Sequence, residues 1–188
     1  MSLFEFIVGM ISIILALAIA QLFVGVSELM QRRARVLFFW PHGIWVVNLF
    51  MITFIHWWSL WTFRDLPWNF AMFFYSLLGP SLLFFAATMV SPRDWSSESI
   101  DVRAHFLNIR QVFLSVFMIM LMLFTLDGPL FGTEELFNAL RAAQIFLLIM
   151  AAWGLTTEST RVQLAISIAA LAGLSAVAFI RFLPGRLG

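Results

Sequence analysis

The chain contains no cysteine and no lysine, and little charge of either sign: charged residues make up 11% of its 188 positions. Without cysteine there is no disulfide, iron–sulfur cluster, thiolate zinc site or thiol nucleophile to consider. Without lysine every cation is arginine, permanently protonated and suited to bidentate bonds with carboxylates or phosphates. The net charge of +1 carries no basic patch, so nucleic acid is not expected as a partner. The scarcity of charge excludes a water-soluble fold as well. Soluble domains carry roughly 25% charged residues, and even a well-packed one leaves roughly a third of its unfolded-chain surface in water. Here 62% of residues are hydrophobic and mean hydropathy is +0.97. The excess must face something other than water.

What is present is a series of six apolar stretches, near or above the ~20 residues a helix needs to cross hydrocarbon. They run Leu3–Met30, Leu37–Phe63, Trp68–Val90, Ser99–Leu126 with its apolar part from Phe106, Glu134–Leu155 and Val162–Leu183. Arg32, Arg33 and Arg35 close the first, Arg64-Asp65-Leu66-Pro67 the second, Ser91-Pro92-Arg93-Asp94 the third. Asp127-Gly128-Pro129 closes the fourth, and Thr133 with Glu134 and Glu135 gives the fifth an N-cap and an acidic first turn. The expected fold is all-α: one polytopic integral membrane domain, residues 1–188, whose short loops make consecutive helices antiparallel neighbours. Ala16-Leu17-Ala18 and Ala18-Ile19-Ala20 look like signal-peptidase sites, but the preceding segment has Glu5 and no basic residue. The first stretch therefore reads as an uncleaved helix.

Arginine bias sets the expected orientation. Arg32, Arg33, Arg35, Arg93, Arg103, Arg110 and Arg161 fall on one side, and Arg64, Arg141, Arg181 and Arg186 on the other. The richer side is expected to be cytoplasmic, with both chain ends periplasmic in a bacterial inner membrane. Trp40, Trp95 and Trp153 mark one interface; Trp57, Trp58, Trp61 and Trp68 mark the other.

Small residues recur every four positions at Ser12, Ala16 and Ala20, and at Ala165, Ala169 and Gly173, letting helix backbones approach closely. One reading is a self-association face. The plainer reading, which the sequence favours, is packing between the first and sixth helices of one subunit. Gly79-Pro80 interrupts the third helix and predicts a kink, either a gate or mere shape.

Polar candidates are few. Asp101, His105 and Asn108 share a face of the fourth helix, with Arg103 and Arg110 on a neighbouring stripe and Gln111 beyond. A carboxylate beside histidine suits a general base or metal site; an amphipathic entry helix with Arg110 reaching to the headgroups is the simpler account. His42 lies at the same level as His105, so the two could ligate haem or a divalent metal. His56, about four turns along from His42, gives a spacing that weakly resembles the paired haem histidines of b-type cytochromes, although only His105 remains as a partner from a second helix. Asn138, Arg141 and Gln144 line one face of the fifth helix, fit to hold a small anion or to form a structural hydrogen-bond cluster.

No phosphate-binding loop, dinucleotide glycine fingerprint, zincin helix or nucleophile elbow is present. The leading expectation is a small non-enzymatic membrane protein without cofactor. It would act by helix association, with itself or as an accessory subunit, its other partner being the lipid bilayer. Two alternatives stand beside it. One is a channel or carrier for a small anion or neutral solute. The other is a membrane enzyme or b-type haem protein using His42 and His105.

Overall fold

The computed structural model describes residues 2–92, 95, 99–132 and 139–182, the side chains of residues 139, 140 and 180–182 apart. The described chain is all-helical: α1 (Leu3–Gln31), α2 (Trp40–Ser59), α3 (Phe70–Val90), α4 (Val102–Phe131), α5 (Ala139–Thr156) and α6 (Thr160–Phe182). A 3-10 turn, Leu60–Phe63, prolongs α2, and a second, Arg33–Arg35, follows α1. Five helices are long and apolar enough to cross a membrane; α5 contributes a shorter apolar segment, Arg141–Thr156. Its expected cap at Thr133, its acids Glu134 and Glu135, and Asn138 lie outside the described residues.

Helix starts follow local chemistry. Ser2 and Glu5 form a reciprocal capping box on α1, Asn69 caps α3 through the Met72 N–H, and Asp101 caps α4 through the Ala104 N–H. The cap at Asn69 starts α3 two residues after Trp68, the position that the apolar run alone suggests. Val36–Leu37 pairs as a two-residue parallel bridge with Ile100–Asp101, so Leu37, expected to open the second helix, and Ile100 and Asp101, expected within the fourth, lie outside them. The bridge ties the entrances of α2 and α4 together.

The largest difference from the sequence expectation is at the end of α4. Asp127-Gly128-Pro129 does not close the helix, which runs on to Phe131. Pro129 removes only one hydrogen bond, the one to the Thr125 carbonyl, near a terminus where the ladder is ending anyway. The true stop is Gly132, left-handed at φ 69°, whose N–H returns to the Gly128 and Pro129 carbonyls.

Helix directions alternate. Contacts such as His42 with Val90, Tyr75 with Leu123, and Gln163 with Gly154 put the arginine-rich loops at one end and the Trp57–Trp61 cluster at the other. Helices α2, α3, α4, α5 and α6 close a ring, and α1 lies outside it against α3 and, more loosely, α2. Helices α1 and α6 are not neighbours, contrary to the expectation from their small residues. The reason is which face is used. Ile7, Ile11, Leu15, Ala18 and Leu22 are the buried face of α1, whereas Ala16 and Ala20 are exposed and Ser12 half-buried. On α6, Ala165 is exposed and Gly173 meets Leu147 of α5.

Candidate functional site

Buried polar side chains gather at two levels separated by an apolar layer. At the arginine-rich end, His42 and His105 do not face each other as a ligand pair. Their rings stand 6.3 Å apart at 73°, and each Nε2 meets a carbonyl in the last turn of α3: His42 that of Val90 at 2.6 Å, His105 that of Met89 at 3.1 Å. A carbonyl only accepts, so each Nε2 carries the proton. These are carbonyls that a helix end leaves without partners of its own. The imidazoles supply them from α2 and α4. Iron or a divalent metal bound at either Nε2 would forfeit that bond. Among the described residues no group of three or more His, Asp or Glu is placed to hold a metal ion.

The rest of the predicted α4 cluster disperses. Asp101 is exposed and engaged in capping; Asn108 and Gln111 are exposed, as is Arg103. Arg110 points the other way and is buried, not extended to the surface. Its Nη1 lies 3.5 Å from the carboxylate of Glu158 in the α5–α6 loop. That contact is an ion pair without hydrogen-bond geometry, and Nε and Nη1 have no hydrogen-bond partner among the described residues. Gln163 sits nearby against Gly154, and its Nε2 donates to the Gly154 and Thr157 carbonyls at the end of α5, both at 2.8 Å.

Near the other end, about 21 Å further along α4 at 1.5 Å per residue, Arg141 and Gln144 do share a face. The Arg141 Nη1 donates to the Gln144 Oε1 at 2.9 Å, and both side chains reach the Phe124 carbonyl, at 3.4 and 3.3 Å. Asn138, the third member expected there, lies outside the described residues. His56 stacks on the Phe124 ring at 4.2 Å, and Tyr75 donates to the Leu123 carbonyl at 2.7 Å. Asp127, brought into this region because α4 continues past it, lines two small cavities with His56 and Phe124. Their volumes are about 50 and 20 Å³, room for little more than ordered water.

Gly79 belongs to the same assembly. A Cβ there would collide with the Phe124 ring. The helix stays continuous through Pro80, which is buried. The Gly79-Pro80 pair therefore forms the notch that lets α4 approach α3.

The layer between the two levels is closed. Trp45 packs edge-on against Phe113 and Phe117, with Leu49, Leu114, Leu147 and Ile166 buried around them. Its main polar link is Asn48, whose Nδ2 donates to the Ser167 carbonyl at 3.0 Å. Arg110, Arg141 and His105 thus do not converge on one cavity. Sequence reasoning passed over Asn48, Gln163, Tyr75 and Ser167. Asn48 and Gln163 had a usable signal, being amides in apolar helices that must find partners inside the bundle.

The large unfilled spaces are on the outside. Between α1 and the end of α2 runs an apolar cleft of about 720 Å³, lined by Val8, Gly9, Trp57, Trp58 and others. It adjoins a second of about 320 Å³ beside Ala16, Ile19 and Phe54. The Trp57 Nε1 donates to the Ser12 Oγ across it at 3.1 Å.

No protein-family model, no curated protein and no solved structure matches the chain. Its class is therefore defined by its own architecture: a helical protein with five membrane-length apolar helices and a sixth, shorter one.

Proposed function

We propose that this is an integral membrane protein of six crossings that works by association through its outward surface, not through a catalytic or conducting interior. The five long helices support insertion. As described, the 18 residues of α5 span about 27 Å, close to the ~30 Å hydrocarbon thickness, and α5 joins two oppositely directed neighbours. Arginine bias favours a cytoplasmic arginine-rich end and, in a bacterial inner membrane, a periplasmic tryptophan-rich end.

One observation carries the functional reading: most of the buried polar side chains are spent on backbone carbonyls of the fold itself. His42, Asn48, Gln163, Arg141 and Gln144 do this, and half-buried His105 with them. They hold helix ends and crossings, and the packed apolar layer between them supports a non-conducting interior. The outward flank of α1, with Gly9, Ala16 and Ala20 exposed beside Ile13 and Leu17, is in contrast not used by the chain's own packing. Small residues of this kind allow a second helix to approach closely in lipid. The partner is a second copy or another membrane protein.

Site-specific photo-crosslinking in native membranes tests this. Ile13 on α1 and Ile149 on α5 are both 58% exposed. A photoreactive residue at 13 is expected to capture a protein, and one at 149 only lipid. Capture of lipid alone from both positions would overturn the reading.

A further inference from the structure

The unfilled space along α1 and α2 is polar at one end and apolar along the rest. At the tryptophan-rich end it opens as a hollow of about 440 Å³ bordered by Glu5, Trp61, Arg64 and Asp65. Through Phe4, Glu5 and Trp61 this joins the 720 Å³ apolar cleft, and through Ser12 and Trp57 that cleft joins the 320 Å³ one ending at Ile19. From Glu5 to Ile19 the α1 axis rises about 21 Å, whereas one leaflet contributes about 15 Å of hydrocarbon, half of the ~30 Å core. The cleft is therefore deep enough for a full acyl chain lying below a polar mouth.

We infer that this cleft holds one diacyl phospholipid with an amine-bearing, zwitterionic headgroup. The charges at the mouth choose the headgroup. Arg64 is held over the Trp61 ring, 4.8 Å from its centroid, and presents a guanidinium to a phosphate. Asp65 borders the same hollow and suits an ammonium group; Glu5, beside it, is held by the Ser2 N–H in the α1 capping box. One cation, Arg64, and one carboxylate, Asp65, complement a phosphate linked to an amine better than a headgroup carrying net negative charge. Below the mouth, Trp57, Trp58 and Trp61 give the interfacial wall that aromatic residues provide at headgroup depth. Gly9 faces open space, since a Cβ there would meet nothing within 4 Å. This inference goes beyond the association reading and shares Gly9 and Ala16 with it; a lipid and a partner helix are rival occupants there, and the experiment below distinguishes them.

The test is native mass spectrometry of the full chain, released from mild detergent and titrated with phosphatidylethanolamine or, in a parallel arm, phosphatidylglycerol. The wild type and an Ile149→Phe control on the far side are expected to hold one phosphatidylethanolamine. Gly9→Phe and Ala16→Phe, which fill the cleft from exposed positions, are expected to lose it while melting like the wild type. Arg64→Ala is expected to bind about tenfold more weakly, the loss of one charge-assisted contact, and phosphatidylglycerol to bind the wild type less tightly than phosphatidylethanolamine. Should either Phe variant melt lower, Arg64→Ala, which changes only the exposed mouth, decides. Lipid retained in full by both Phe variants or by Arg64→Ala overturns the inference, as does equal affinity for the two lipids. A lipid-free dimer that Gly9→Phe dissolves would assign the cleft to a second copy instead and would equally overturn it.

Discussion

Helices α1 and α2 are both long and apolar, yet they are used in opposite ways. Half of the membrane-length window of α2 is buried, against 28% for α1. Helix α2 meets α1, α3, α4 and α6 and carries His42, Trp45, Asn48, Thr53 and His56 into the interior. Helix α1 buries one stripe, Ile7 to Leu22, mainly on α3, touches α2 along one side and leaves the opposite flank outward. The difference shows how a nearly chargeless chain divides its labour. Most of its interior polar side chains join helices through at least one hydrogen bond, as an unpaired polar group in hydrocarbon is costly; Arg110, held among the described residues only by its ion pair with Glu158, is an exception. Surface that the fold itself does not use is left on α1.

Substitutions sharpen the contrast, beginning with the interior. Gly79→Val would drive a branched side chain into the Phe124 ring and disturb the His56 stack behind it. Overpacking of this kind is expected to cost about 3 kcal/mol, read as a large fall in the melting temperature of the detergent-solubilised protein. Wild-type stability in that variant would mean that α3 and α4 do not approach as described. Asn48→Leu removes the bridge from α2 to the Ser167 carbonyl; interhelical bonds of this type contribute about 1 kcal/mol, so a small but resolved destabilisation is expected in the same assay. Glu158→Gln should change stability by less than ~0.5 kcal/mol, because the carboxylate is 74% exposed and its contact with Arg110 lacks hydrogen-bond geometry. A larger loss would show that the Arg110 pair is a structural clamp. On α1 the expected effect on stability is smallest: Gly9→Phe and Ala16→Phe alter what the protein holds and leave its unfolding unchanged.

Much of the architecture was legible from the order of residues. The apolar runs, the arginine and proline punctuation and the two tryptophan levels anticipate helices that alternate in direction. Three features were not. Pro129 looks like a terminator, but near a helix end its missing N–H costs little, and Gly132 makes the actual stop. The Ser12, Ala16 and Ala20 spacing gives a stripe without saying which way it faces; the larger Ile7, Ile11 and Leu15 stripe takes the packing position. The pairing of His42 and His105 by level was sound in depth, with rings 6.3 Å apart. What each ring bonds depends on the end of α3, a tertiary partner no local pattern encodes. Arg141 with Gln144 was readable because both lie on one helix, three residues apart. Arg110 with Glu158 was not, since α5 and a loop intervene.

The central claim is that the interior is closed and that the protein acts from its outside. The absence of cysteine makes one measurement direct: Ser167→Cys, a near-isosteric change at a fully buried position in the middle layer, treated in sealed vesicles with a small membrane-impermeant thiol reagent applied to either face. Persistent lack of labelling from both faces, with full labelling after denaturation, is the predicted result. Rapid labelling of the folded protein from either face would reveal a water path through the bundle and contradict the account.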